Sequence, residues 1–222
     1  MINSLNAEVE GLTIVLVGSF NPAIFQPAWL AAQKLIPEAE AEKAAINVIT
    51  PDVAVFSIGW AALSIEKDKF IVESDQPAFY EAARDLIFGI FRVLRHTPVK
   101  YLGINCRSHF RVEKPEMLLT MGHLLAPKVY WNDVVKNPLL RSMRMLSERT
   151  DGHHGSVNVT IEPSLRITPG VFLQVNDHFE FPDNEPVTAA TGVLNSVFQD
   201  SLARAEKIMQ HLLTLRHEPE AG

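Results

Sequence analysis

Hydrophobic positions along the chain follow two periods, and the switches between them predict its elements. LTIVLV, residues 12–17, is a continuous β-branched run and reads as a buried strand that Gly18–Pro22 stops. Pro27 suits the first position of a helix running to about Ile36, with Trp29, Leu30, Leu35 and Ile36 as its apolar positions and Pro37 marking its end. The acidic, alanine-rich EAEAEKAA that follows reads as a solvated helical tail or loop. One strand is expected within residues 48–60, and another within 63–74, which contains a polar turn at Glu66–Lys69. The period then changes. From Pro77, Phe79, Tyr80, Ala83, Leu86, Ile87, Ile90, Phe91 and Leu94 recur at three-four spacing, which predicts a helix. Gly89 within it costs about 1 kcal/mol against Ala and suggests close approach by a neighbour.

Thr97-Pro98 ends that helix and begins a strand. Pro115, Pro127 and Pro138 divide residues 113–138 into a short helix near 115–122 and loops. SVNVTIEPS alternates cleanly, so a hairpin over 140–164 with its turn at Asp151-Gly152 is expected, a helix at 139–149 being the alternative. VFLQVNDHFEF is the last strand, and residues 187–214 carry a long amphipathic helix. The order β-α-β-β-α-β-(α)-β-β-β-α interleaves helices with hairpins, not with single parallel strands. That predicts an α+β fold with a mainly antiparallel sheet, helices on one face and a long C-terminal helix. A single domain over 1–216 is expected, subdomains 1–96 and 97–216 being the alternative division, with 217–222 a disordered tail.

Two strand segments share a line: TPVKYLGINCRSHF at 97–110 and TPGVFLQVNDHF at 168–179. One reading makes them a pseudo-symmetric pair whose Asn105, His109, Asn176 and His178 converge on a ligand. The other makes them two strands of one sheet with the same packing needs. A true duplication would carry its flanking helices at the same offset of 71 residues, and the sequence has no such copies.

Composition narrows the field. With 222 residues, 47% hydrophobic, the chain is long enough to bury a substantial core. A net charge of -6 disfavours nucleic acid as a partner. Cys106 is the single cysteine and has no internal disulfide partner, which fits a reducing compartment. The first eleven residues carry no Lys or Arg, and 12–17 is too short to span a bilayer, so a cytoplasmic protein without membrane attachment is expected.

Four groupings offer chemistry. His153-His154 are adjacent and are the weak metal candidates, but neighbours on an extended strand point to opposite faces and metal sites prefer spaced pairs, so no metal is assigned. Cys106 beside Arg107 and His109 would be an activated thiol or a small buried hydrophobe. Glu162 and Asp177 would be an acid/base pair or plain strand carboxylates. Arg107, Arg111, Arg141, Arg144, Arg149 and Arg166 would form a basic face for a phosphate or acidic partner, or a solvated sheet face. The phosphate-loop, dinucleotide, nucleophile-elbow, zinc-protease and kinase signatures are absent, and no cofactor is implied.

At LGIN…HF, VTIEPS and VNDHF the chain resembles a sporadically distributed family of uncharacterised bacterial proteins, over about residues 98–213. The resemblance implies an α+β fold and carries over no catalytic residues. Two functional expectations follow. The first is a non-enzymatic protein-binding or assembly protein, self-associating as a homodimer or holding another protein. The second is a small-molecule binder or enzyme with a cavity between the sheet and the C-terminal helix, where Asn105, His109, Asn176 and His178 would be the polar groups. A ligand site requires these four to converge. An assembly surface requires exposed apolar residues.

Overall fold

A computed structural model describes residues 6–216, in which the two periods sort into nine strands and five α-helices. The strands are β1 (Ala7–Gly18), β2 (Ala45–Ile49), β3 (Val53–Ile58), β4 (Ala61–Glu66), β5 (Lys69–Ser74), β6 (Val99–Arg111), β7 (Met143–Glu148), β8 (Gly155–Pro163) and β9 (Gly170–Glu180). The helices are α1 (Pro27–Ala32), α2 (Glu38–Glu42), α3 (Tyr80–Val93), α4 (Pro115–Leu125) and α5 (Val187–Leu213). The expected tail 217–222 lies outside the described residues.

The α+β class, the antiparallel sheet and the long final helix are as the sequence predicts. The local differences have plain causes. The polar turn expected at Glu66–Lys69 is present and divides its segment into β4 and β5, and the single strand expected within 48–60 is divided as well, because Pro51-Asp52 is a turn. The first helix stops at Ala32, short of Ile36. Lys34 takes φ +58°, and the Leu35 N–H then closes back onto the Leu30 carbonyl at 2.9 Å, a left-handed helix stop. Residues 140–164 form the hairpin, not the alternative helix.

All strands join one antiparallel sheet in the order β2-β3-β4-β5-β1-β6-β9-β8-β7. The chain builds it twice over. β1 runs through the middle, a helical crossover carries the chain to one outer edge, β2 to β5 return to the middle, and α3 packs on one face. β6 then pairs with β1, α4 carries the chain to the opposite edge, β7 to β9 return, and α5 packs on the same face. The repeat in this architecture therefore relates β1 to β6. The repeated line instead falls on β6 and β9, which are direct antiparallel neighbours.

Strand alternation fixes which side chains meet the helices. Leu12, Ile14 and Leu16 of β1, Phe70 and Val72 of β5, Leu102 and Ile104 of β6, and Leu173, Val175 and Phe179 of β9 point to the covered face and are buried. α3 contributes Ala83, Leu86, Ile87, Ile90 and Phe91, and α5 contributes Leu194, Val197, Phe198, Ala205, Met209 and Leu213. Phe70 anchors an aromatic cluster, with ring centroids 5.0 Å from Phe91 and 5.2 Å from Phe25. A Cβ on Gly89 would lie 2.6 Å from Leu35 Cδ2, so this glycine does admit a neighbour into α3.

On the open face the seam between β1 and β6 is stitched by Arg107. Its side chain leaves β6, crosses β1 above Gly11, and bonds Thr13 Oγ1 at 2.5 Å, Glu73 Oε1 at 2.5 Å and Asp75. A Cβ on Gly11 would fall 2.6 Å from the Arg107 Cζ, in the path of that guanidinium. Gly11→Ala is therefore expected to displace Arg107 from its two carboxylates and cost about 1–3 kcal/mol, as overpacking does. A chemical-denaturation midpoint unchanged from wild type would contradict this.

Candidate functional site

Asn105, His109, Asn176 and His178 all project from the open face of β6 and β9. They do not converge. Asn105 and Asn176 are direct cross-strand partners, but His109 stands opposite Phe172, and His178 stands opposite Gly103. Phe172 is six residues before His178 on β9, so the two histidines are separated by about 20 Å of strand. The asparagines belong to a polar row that runs Thr13, Asn105, Asn176, Asn158 across four adjacent strands. Asn105 Nδ2 donates to the Thr13 carbonyl at 3.2 Å, and Asn105 Oδ1 accepts from Gln174 Nε2 at 3.4 Å. Asn176 Oδ1 is buried and has no hydrogen-bond partner among the described residues.

The histidines are held by their neighbours. His178 packs tilted against Tyr101 with ring centroids 5.3 Å apart, its Nε2 3.7 Å from Glu180 Oε1. His109 packs against Phe172 at 4.8 Å and lies 2.8 Å from Ser164 Oγ through Nδ1. Such a contact invites a nucleophile–base reading. The Ser164 oxygen, however, already accepts the N–H groups of Arg166 at 3.1 Å and Ile167 at 2.9 Å. Its proton goes to His109 Nδ1, which leaves a neutral ring as acceptor and a hydroxyl engaged in closing the 164–167 turn. Burial, with Arg166 and Arg107 adding to it, holds the His109 pKa below the ordinary histidine value.

The expected acid/base pair does not form, and three of the six arginines expected in a basic face are neutralised by carboxylates. Glu162 lies on the open face and accepts from Ser142 at 2.8 Å, whereas Asp177 lies on the covered face. Of the arginines, Arg107 is taken by Glu73 and Asp75, Arg111 by Glu8, and Arg149 by Asp151 and Asp177. The arrangement around Asp177 is the buried polar centre of the molecule. Asp177 is 1% exposed and binds Arg149 Nη1 at 2.8 Å and Arg204 of α5. The Arg149 guanidinium also covers the Phe179 ring at 3.8 Å, and Arg149 and Arg204 share Asp151. This cluster ties the β7–β8 turn and β9 to α5. One signal in the sequence points to it: in VFLQVNDHF, Asp177 falls on the same parity as Val171, Leu173, Val175 and Phe179, the inward positions.

A groove of about 440 Å³ does open between the sheet and α5, with Glu10, Tyr80, Cys106, Ser108, Leu202 and Met209 among its lining residues. None of the four expected polar groups is there, because they face the other side of the sheet. Nor is Cys106 an activated thiol. Arg107 and His109 alternate away from it, and burial, helped by Asp177 and Glu10, pushes the thiol up to about 12. Burial likewise raises the Tyr80 hydroxyl well above the ordinary tyrosine range, with Glu10 adding to it. His153 and His154 separate as expected of neighbours: His153 is half-buried with its ring edge-on to Phe179 at 5.6 Å, and His154 is exposed. No group of three or more His, Cys, Asp or Glu among the described residues is placed to hold a metal ion.

Comparison with known proteins adds nothing to this geometry: no family matches the chain, and neither does any curated protein. Two outcomes test the site as described. Asp177→Ala leaves Asp151 as the one carboxylate between Arg149 and Arg204 and is expected to cost about 2–3 kcal/mol in urea unfolding, more than Glu162→Ala. For His109 the folded pKa lies below the unfolded value of about 6.5, so its contribution is complete above that pH and is lost as the pH falls through the folded pKa. The melting temperature should thus fall on acidification below about pH 6.5, and His109→Gln should remove that part of the slope.

Proposed function

We propose that this is a protein-binding or assembly protein without an active site of its own, and that its contact surface is the excursion from α4 into β7. The observation that carries this reading is a run of exposed apolar side chains. Val129, Tyr130, Trp131, Val134, Val135, Leu139, Met145 and Leu146 all stand in solvent, with Tyr130 78% and Val134 77% accessible. Scattered exposed apolar residues are ordinary, but a concentration within one short segment, including Trp and Tyr, has the composition of a binding surface. The dispersal of Asn105, His109, Asn176 and His178 along the open face supports the same reading, as does the engagement of Ser164 in its turn.

A second reading rests on the groove between the sheet and α5, which lies where a small-ligand site was expected. A buried thiol and a tyrosine hydroxyl held protonated give it neutral hydrogen-bonding groups beside an apolar wall of Leu202 and Met209, with Glu10, Glu206 and Arg107 also among its lining residues. The unpaired Cys106 fits the cytoplasm as the compartment. No helix among the described residues is long and apolar enough to cross a membrane.

Native mass spectrometry of the full chain purified from its host separates the two. Binding through the excursion predicts a complex, with itself or with a second polypeptide, that Val134→Asp combined with Leu139→Asp disrupts without shifting the melting temperature. A mass excess of a few hundred daltons on a single chain, released on denaturation, would instead support the groove.

A further inference from the structure

β7 is an outer edge of the sheet, so half of its backbone hydrogen-bonding groups meet no strand in this chain. The opposite edge, β2, has its pairing with β3 interrupted by a bulge between Ile46 and Val48. β7 pairs with β8 in unbroken register from Met143 to Glu148. Of the two edges, β7 is the regular one.

Its open-face side chains are Arg144, Leu146 and Glu148. Their cross-strand neighbours on β8 are Thr160, Asn158 and Ser156, none of them charged. Among the described residues neither Arg144 nor Glu148 makes an ion pair, and Leu146 is 70% exposed. The edge therefore presents a cation, an aliphatic side chain and an anion in a row, all uncommitted.

This row is its own complement when read in the opposite direction. We propose that a second copy of the chain adds its β7 antiparallel to this one, with Leu146 on the two-fold axis. The inference rests on the reading that the 129–146 surface binds protein. In this register Arg144 of each copy faces Glu148 of the other, and the two Leu146 side chains meet between the ion pairs. Moving the axis to Met145 sets Arg144 against Leu146, and moving it to Ser147 sets Leu146 against Glu148. A single register satisfies both charges, as cross-strand pairing demands. The two sheets then become one, the open faces continuous across the axis, and the excursions that lead into β7 flank the join in both copies.

Sedimentation of the full chain, with circular dichroism as the fold control, tests this through charge reversal. Wild type is expected to be a dimer. Arg144→Glu and Glu148→Arg each bring two like-charge pairs together at the join and should weaken association by about tenfold or more. The double variant R144E/E148R rebuilds both pairs in swapped order and should recover most of the affinity. A wild type that stays monomeric up to about 0.1 mM, at the weak end of specific association, overturns the pairing. So do single reversals without effect, and a double variant that fails to recover. If the reversals leave a complex intact while V134D/L139D abolishes it, the excursion still binds protein and only the β7 pairing falls. If V134D/L139D also has no effect, the assembly reading falls with it.

Discussion

The antiparallel ladder between β1 and β6 is the constraint on which the rest depends. Each half of the chain begins with a strand in the middle of the sheet and finishes with a helix on the covered face, so neither half closes its own inner edge. The ladder from Ala7–Phe110 to Gly18–Val99 closes both at once. It sets the parity of the whole sheet, because Leu12, Ile14 and Leu16 must meet α3 and α5, and a slip by one residue would carry them to the open face. Arg107, laid across β1 to reach β5, fixes the same register from the other side. The hydrophobic effect chooses the face, and the guanidinium holds the alignment.

Much of this organisation is legible in the sequence. The change from alternation to three-four spacing at Pro77 marks α3, the stripe from Val193 onward marks α5, and the Asp151-Gly152 turn separates β7 from β8. Strand count was harder to read, because turns as short as Pro51-Asp52 interrupt a hydrophobic run without changing its composition. Strand order was not readable at all. The shared line on β6 and β9 is that of two strands in one sheet with the same packing needs, one of the two readings the sequence offers, and not a duplication. Those two segments resemble each other because they are neighbours facing the same layers, whereas β1 and β6 hold equivalent positions with little sequence in common.

The candidate site shows a sharper limit. Asn105, His109, Asn176 and His178 share a likeness of motif, and strand parity places all four on one face. Motif likeness carries no information about distance along the strands, and the antiparallel pairing separates the histidines. Asp177 was the more informative residue. A carboxylate at an inward position of a strand must be paired, and Arg149 and Arg204 come from a turn and a helix whose proximity only the topology supplies. The buried ionic cluster, which is built for docking α5 onto β9, is thus announced by one misfit in an otherwise regular pattern.

The bulge in β2 bears on how large an assembly this sheet permits. A sheet with two regular edges can add copies at both, and head-to-tail addition without closure grows into fibres. Interrupting the ladder at Ile46 and Val48 makes that edge a poor template while β7 stays regular. With one receptive edge, strand-to-strand growth terminates as soon as two such edges have met. In a dimer joined at β7, the extra residue in β2 would act as a chain terminator for the combined sheet.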